Sequence, residues 1–394
     1  MVFTPRCDRR NHLISLTGFD FGRVLFAPSD SLWAASNTGV DSVNRATRPT
    51  ILFRFDASAA IGFGHAIRCF ALSEELSARL YDPHFLVYPD TKAPLETLGI
   101  PSSRIHMLEP SYSGIGDARE LARFAQHLDA QWIVLDGYEF DLRYQSELRA
   151  GTRAKVLALD DGVLDSFDAD IILNQNLDAE HHSQYLNASS SKLLLGSRYL
   201  LVRQAFRHAN PIQVRSEASN VLLMFGGADT HNITAQMLSV LAKTGCLNNR
   251  SVRVILGGAY RHRDSLDAIT IPSSCNLEIV PFTNRIIDHY QWSDVVFSAA
   301  GSTAWELALQ RLPMALITAA DNQIQVATAL ARKQAAIYLG DIRSHPVDEF
   351  MGRALELLSD LPLRQALHTR CAELCDCAGP RRVVDAMEEI TKLG

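Results

Sequence analysis

From Thr50 onward, short apolar runs recur along the chain, each separated from the next by a stretch long enough for a helix. In the first half the runs are Ile51–Phe55, His84–Tyr88, Arg104–Leu108, Trp132–Leu135, Lys155–Leu159 and Ile171–Leu173. Between them lie helical patterns, such as Leu121, Phe124, Ala125 and Leu128 within Ala118–Leu128. A polar stretch containing proline, roughly His208 to Asn220, has no clear period and predicts a linker. The rhythm then restarts with Val221–Phe225, Val252–Leu256, Leu277–Val280, Asp294–Phe297, Met314–Ile317 and Ala336–Leu339. Strands alternating with helices predict parallel sheets covered on both faces. The expected class is therefore α/β, with two Rossmann-like doubly wound domains facing each other across a cleft.

The expected domains are residues 49–208 and 221–394, joined by a linker over 209–220. In the final segment, Val383, Val384, Met387 and Ile390 share one helical face, and Pro380 marks a helix start. This last helix is placed to cross back to the first domain. Residues 1–48 mix arginines with aspartates and show no sustained period. They lack the apolar core of a signal peptide, and their early acids count against an organellar transit peptide. They are expected to be an appended, poorly ordered tail or the product of an upstream start of translation.

Composition narrows the class. A length of 394 residues fits about two domains. A net charge of −6 argues against general nucleic-acid binding, which needs a basic surface. No apolar run is long enough to predict a membrane span. Seven cysteines, an odd number scattered without a signal peptide, predict reduced thiols in a cytoplasm.

The candidate chemistry sits at strand ends. Asp136-Gly137-Tyr138, Asp160-Asp161-Gly162 and Asn174-Gln175-Asn176 each close an apolar run. In open α/β sheets those carboxyl ends line the ligand crevice. The stretch Asp56 to Arg68 carries Gly62, Gly64 and His65 where a strand should turn into a helix. A dinucleotide fingerprint would need a third glycine where Ile67 stands, which disfavours a nicotinamide cofactor. There is also no phosphate-binding GxxxxGK[ST] loop. His65 is either a packed helix-start histidine or a general base. Its place at a helix N-terminus predicts a lowered pKa and a neutral imidazole able to take a proton from water.

In the second half, Gly301-Ser302-Thr303-Ala304-Trp305-Glu306 opens a helical pattern. Ser302 or Thr303 would serve as a plain N-cap with Glu306 as its capping-box partner. Alternatively, the same free N–H groups would cradle a diphosphate while Glu306 accepts from ribose hydroxyls. Gly226-Gly227 and Asp229 form either the facing lip of that pocket or a tight turn with a helix cap. Asp321-Asn322-Gln323 would contact sugar hydroxyls and acetamido groups, or cap the helix Ile324–Arg332. Cys371, Cys375 and Cys377 lack the partners of a zinc pattern and predict a packed face, and His181-His182 a solvated pair. No metal is expected.

The segments RFDASAAIGFGHAIRC, LDGYEFD, LDDG, NQN, LLGSRYLLVRQAF, MFGGAD, FSAAGSTAWELAL and ADNQ occur in one order. In that order they resemble the bacterial UDP-2,4-diacetamido-2,4,6-trideoxy-β-L-altropyranose hydrolases of pseudaminic acid biosynthesis. A related branch belongs to spore-coat polysaccharide synthesis. The resemblance runs from about residue 50 to the C-terminus, and the family normally lacks the N-terminal extension. It implies a glycosyltransferase-B fold akin to the lipid-linked cell-wall N-acetylglucosaminyltransferase. The implied reaction is metal-independent attack of water at the anomeric carbon, releasing UDP and the free sugar. His65 would be the base, with Tyr138 and Asn322 beside the sugar and Gly301, Ser302, Thr303 and Glu306 on the UDP. Asp56, Gly62, Gly64, Arg68, Asp161, Asn174, Arg203, Gly227, Asp229 and Gln323, which lie in or beside the matching segments, would complete the substrate contacts. The expected partner is a UDP-sugar, with no cofactor, no nucleic acid and no membrane span, and the expected state is a monomer or weak homodimer. The alternatives are a glycosyltransferase of the same fold and a catalytically inactive nucleotide-sugar-binding protein.

Overall fold

Among the described residues there are thirteen strands; twelve carry the apolar runs, and most are buried on both faces, as parallel strands under helices must be. The computed structural model describes residues 48–58, 62–110, 113–188, 190–283, 285–374 and 376–393. The N-terminal extension expected over 1–48 therefore lies outside the described residues, apart from Arg48.

The first sheet contains β1 (Thr50–Phe55), β2 (Asp82–Val87), β3 (Ile105–Met107), β4 (Ala130–Asp136), β5 (Lys155–Leu159), β6 (Ile171–Asn174) and β7 (Lys192–Leu195). Their spatial order is β3-β2-β1-β4-β5-β6-β7, with every pair parallel. The second sheet contains β8 (Asn220–Met224), β9 (Ser251–Leu256), β10 (Asn276–Pro281), β11 (Val295–Ala299), β12 (Met314–Thr318) and β13 (Ile337–Asp341). Its order is β10-β9-β8-β11-β12-β13, again all parallel. Strand order therefore reverses between β1 and β4 in one sheet and between β8 and β11 in the other. Those two switch points are where crevices open in doubly wound sheets. β7 has no counterpart among the runs read from the sequence. It is a four-residue edge strand with only Leu194 fully buried, so its pattern is too short and mixed to stand out.

Three features tie the sheets together. Between β7 and β8, the chain lays Gln204 N on Glu74 Oε2 at 2.6 Å and Arg207 on Glu75 at 2.7 Å, both acids belonging to the Gly64–Ala78 helix. Across the cleft, Arg332 pairs with Asp178. The final helix, Gly379–Leu393, packs on the first sheet's core rather than the second's. Val383, Val384 and Met387 join Phe53 and Trp132 there, and Trp132 Nε1 donates to Thr391 Oγ1 at 2.9 Å. Gly379 is required at its start, because a Cβ would fall 2.1 Å from the Leu200 carbonyl oxygen. Among the described residues, no helix is long and apolar enough to cross a membrane.

Met387 is 2% exposed in that seam. Met387→Ala should lower stability by about 2–5 kcal/mol through lost burial and a residual cavity. Denaturant unfolding of the first sheet, read by Trp132 fluorescence, should show the midpoint moving down.

Candidate active site

The loop after β1 turns sharply. Gly62 sits at φ +93 and donates its N–H to Ser58 O at 2.8 Å, a left-handed conformation that suits glycine. The Gly64–Ala78 helix starts immediately after, without a side-chain cap, and His65 is its second residue. His65 is buried, and its Nδ1 lies 2.6 Å from Asp136 Oδ1. Asp136 ends β4, directly beside Phe55 at the end of β1, so the switch point brings strand end and helix start together.

Asp136 is fully buried and shared. Arg68, one helical turn beyond His65, donates to it through Nε at 2.7 Å and Nη2 at 2.5 Å, and the Cys69 thiol lies 3.5 Å away. Burial alone would push this carboxyl up, but Arg68 and His65 hold it well below the usual carboxylate range. An ionised carboxylate only accepts hydrogen bonds, so Nδ1 of His65 carries the proton and Nε2 is the basic nitrogen of the neutral ring.

The expected lowering of the His65 pKa is corrected. Burial does push it down, but the Asp136 charge and hydrogen bond outweigh that, and the net shift is upward. A helix terminus contributes about 0.3–1 kcal/mol. A hydrogen bond to a charged group contributes roughly 1.5–3 kcal/mol, so the carboxylate wins over the helix field.

A second carboxylate extends the cluster. Asp161 accepts from Arg68 Nη1 at 2.8 Å, Asn176 Nδ2 at 3.0 Å and the Tyr138 hydroxyl at 3.3 Å. The Tyr138 ring stands edge-on to His65, centroids 5.5 Å apart. From the other side of the cleft, Asn322 Nδ2 donates to the Tyr138 hydroxyl at 3.4 Å. His65, Arg68, Tyr138, Asp161 and Asn322 thus form one hydrogen-bonded group. Asp136 and Asn176 belong to it too; the sequence placed both at strand ends lining the crevice but gave neither a role. The signal for Asp136 was its position closing the apolar run next to the histidine's own strand.

The facing wall is the start of the Ser302–Leu309 helix, where Gly301 occupies the cap position in an extended conformation. Neither Ser302 nor Thr303 caps this helix through its side chain. Its first N–H groups therefore keep the orientation that suits an anion. A Cβ on Gly64 would lie 4.0 Å from Ser302 Oγ, so the two helix starts look at each other across the cleft. Phe63 rests against Gly227, where a Cβ would fall 2.5 Å from its ring.

Other selected residues have partners elsewhere. Asp56 binds Arg54 Nη1 at 2.7 Å and Tyr88 N at 3.0 Å, part of a buried cluster with Asp117. Asn174 is fully buried between the Tyr185 hydroxyl and Asn176 N, at 2.7 and 2.9 Å. Asp229 accepts from Ile233 N and Thr234 N at 2.8 and 2.9 Å, which is the helix-cap role. Arg203 and Glu306 bind each other at 2.7 Å, with the Tyr290 hydroxyl on the other Glu306 oxygen, so Glu306 is no capping-box partner. Asn322 and Gln323 lie inside a helix that already starts at Asp321, and Gln323 Oε1 accepts from Ala319 N at 2.8 Å. Cys371 is buried with its thiol toward Ala335 O, while Cys375 lies outside the described residues. Among the described residues, no group of three or more His, Cys, Asp or Glu is placed to hold a metal ion.

Comparison with known proteins agrees with this architecture. Residues 221–349 match the glycosyltransferase family 28 C-terminal domain. The UDP-2,4-diacetamido-2,4,6-trideoxy-β-L-altropyranose hydrolase of Campylobacter jejuni is 24% identical over 291 residues, which is 72% of this chain and 96% of that protein. The spore coat polysaccharide biosynthesis protein SpsG of Bacillus subtilis is 20% identical over 246 residues, 62% of this chain and 72% of its own length. The crystal structure of MurG from Acinetobacter baumannii matches with a TM-score of 0.59 at 16% identity, covering 86% of this chain and 99% of that one. The chain has the glycosyltransferase-B fold, and the resemblance to the hydrolases and their spore-coat branch is borne out.

Removing the carboxylate that raises the His65 pKa should reverse the shift. In Asp136→Asn the imidazole should titrate at lower pH than in the parent protein, where it titrates above the ordinary value of about 6.5. Imidazole proton or nitrogen NMR across pH 5–9 reads both curves, roughly the range in which histidine changes charge.

Proposed function

We propose that the protein hydrolyses a UDP-linked 2,4-diacetamido-2,4,6-trideoxyhexose to UDP and the free sugar. The observation that carries the proposal is the His65–Asp136 contact, 2.6 Å long, set opposite the open helix start at Gly301–Ser302. In this reading Nε2 of His65 removes a proton from water as the oxygen attacks the anomeric carbon. The bond from that carbon to the diphosphate oxygen breaks, and UDP leaves with the electron pair. Asp136 stabilises the imidazolium that forms, and the imidazolium then returns its proton to solvent. The support is the same logic by which buried carboxylates orient catalytic histidines.

The leaving group would sit at the first turn of the Ser302–Leu309 helix. There the N–H groups of Ser302 and Thr303 favour the charge that develops on the diphosphate. Glu306 accepts three hydrogen bonds within the protein, from Arg203 Nε and Nη2 and from Tyr290. A carboxylate offers about four acceptor sites, which leaves one for a ribose hydroxyl. Tyr138 and Asn322, joined across the cleft, would rest against the sugar. Base and leaving-group cradle occupy opposite walls, so water attacks the face opposite the departing diphosphate and the anomeric configuration inverts.

Arg68 has a different role from the one read in the sequence. Its short hydrogen bonds run to Asp136 and Asp161, and its Nη2 also lies 3.5 Å from His65 Nδ1, so it positions the carboxylates and the imidazole instead of touching substrate. The second reading is a transferase, favoured by the match of residues 221–349 to a glycosyltransferase domain. There an acceptor hydroxyl would replace water beside His65.

Purified protein given the UDP-sugar alone should release UDP, and a requirement for an added acceptor would sink the hydrolase reading. His65→Ala should lower kcat by roughly 10²–10⁴ while UDP affinity stays close to that of the parent. Because a base works only when neutral, the kcat/KM profile should rise with pH through the raised His65 pKa and level off above it.

A further inference from the structure

Next to the cluster just described, the cleft widens into a cavity of about 330 Å³ between the loop after β6 and the Asp321–Arg332 helix. One wall is Asn176, which is 9% exposed and donates through Nδ2 to Asp161 at 3.0 Å. A carboxylate only accepts, so this bond fixes the amide with its NH₂ toward Asp161 and its Oδ1 turned away. Oδ1 has no hydrogen-bond partner among the described residues. The opposite wall is Gln325 and Val326, one turn along from Asn322 and on the same helix face, about 5–6 Å from it. Buried or half-buried Leu177, Trp305, Val326 and Ala329 supply an apolar lining. Arg332 at the rim is already paired with Asp178, and the lining histidines, His181 and His182, carry no permanent charge, so a phosphate would find no fixed counter-charge there.

A small planar amide bearing a methyl group matches these surfaces, whereas a hydroxyl would leave the apolar part unfilled and a phosphate would lack a counter-charge. We infer that the cavity receives one N-acylamino substituent of the sugar, with its methyl on the apolar lining and its N–H on Asn176 Oδ1. This rests on the proposed function and adds a specificity site to it. Gln325, exposed on the rim, closes over the carbonyl of the same substituent. None of these contacts involves His65, Asp136 or the N–H groups of Ser302 and Thr303, so selection of the substituent is separable from bond cleavage.

The test uses the full-length chain with three UDP-sugars: the 2,4-diacetamido compound and its two analogues in which one acetamido group is a free amine. Val326→Phe narrows the cavity from a half-buried helix position. It should lower kcat/KM for the diacetamido sugar by about tenfold or more and leave one analogue within about threefold of the parent, in line with what small groups contribute in shaped pockets. Ala329→Leu, which narrows it from another side, should give the same pattern, and thermal unfolding shows whether either variant remains folded. A loss of similar size on all three sugars, or no loss on the diacetamido sugar, overturns the assignment. If the parent protein cleaves none of them, calorimetric binding of the same three sugars separates the two ideas. Discrimination that vanishes in the variants supports the cavity without the hydrolase, and equal binding throughout rejects it.

Discussion

Asp136 is the carboxylate on which the rest of the site depends. It is fully buried, and burial of a lone charge would be costly, so its partners are obligatory. His65 and Arg68 supply them from one face of one helix. Removing either partner from such a buried pair typically costs about 3–5 kcal/mol, because the charge left behind has nowhere to go. The helix start, the strand end and the orientation of the imidazole are therefore specified together. Asp161 repeats the arrangement at the next strand end and carries it outward to Tyr138, and through Tyr138 to the second sheet.

The same geometry accounts for the division of labour across the cleft. Each sheet reverses its strand order once, and each reversal faces the other. At one reversal the strand ends supply carboxylates and a helix start supplies the histidine, while the other offers a glycine-led helix start. Phe63 against Gly227 and Gly64 against Ser302 mark how near the two come. Glycine at 227 is a consequence of that approach, since any side chain there would displace the Phe63 ring.

The architecture was legible in the chain because parallel strands buried on both faces leave unbroken apolar runs, and twelve of the thirteen strands coincide with such runs. β7 did not, because an edge strand of four residues carries too little pattern. Site residues were legible by type and position but not by direction. Asp229, Asn174 and Asp56 stand at strand ends like Asp161, yet their oxygens and amides point to backbone N–H groups and buried partners. Strand-end position says where a polar side chain emerges and not which of two faces it serves. The His65 pKa failed for a related reason, since a helix field is readable from local sequence and a carboxylate arriving from β4, 71 residues away, is not.

The helix Gly379–Leu393 gives the molecule an unusual order of completion. Its Val383, Val384 and Met387 finish the core that begins with β1, although the whole second sheet is encoded between them. On the ribosome, chains generally fold domain by domain from the N-terminus. Here the first domain emerges with an apolar seam uncovered and must wait, while the second domain is made, for its own last piece. Trp132 and Phe53 lie beneath that seam. The nascent chain thus exposes, for the length of time needed to synthesise the second sheet, an apolar surface that the finished protein buries.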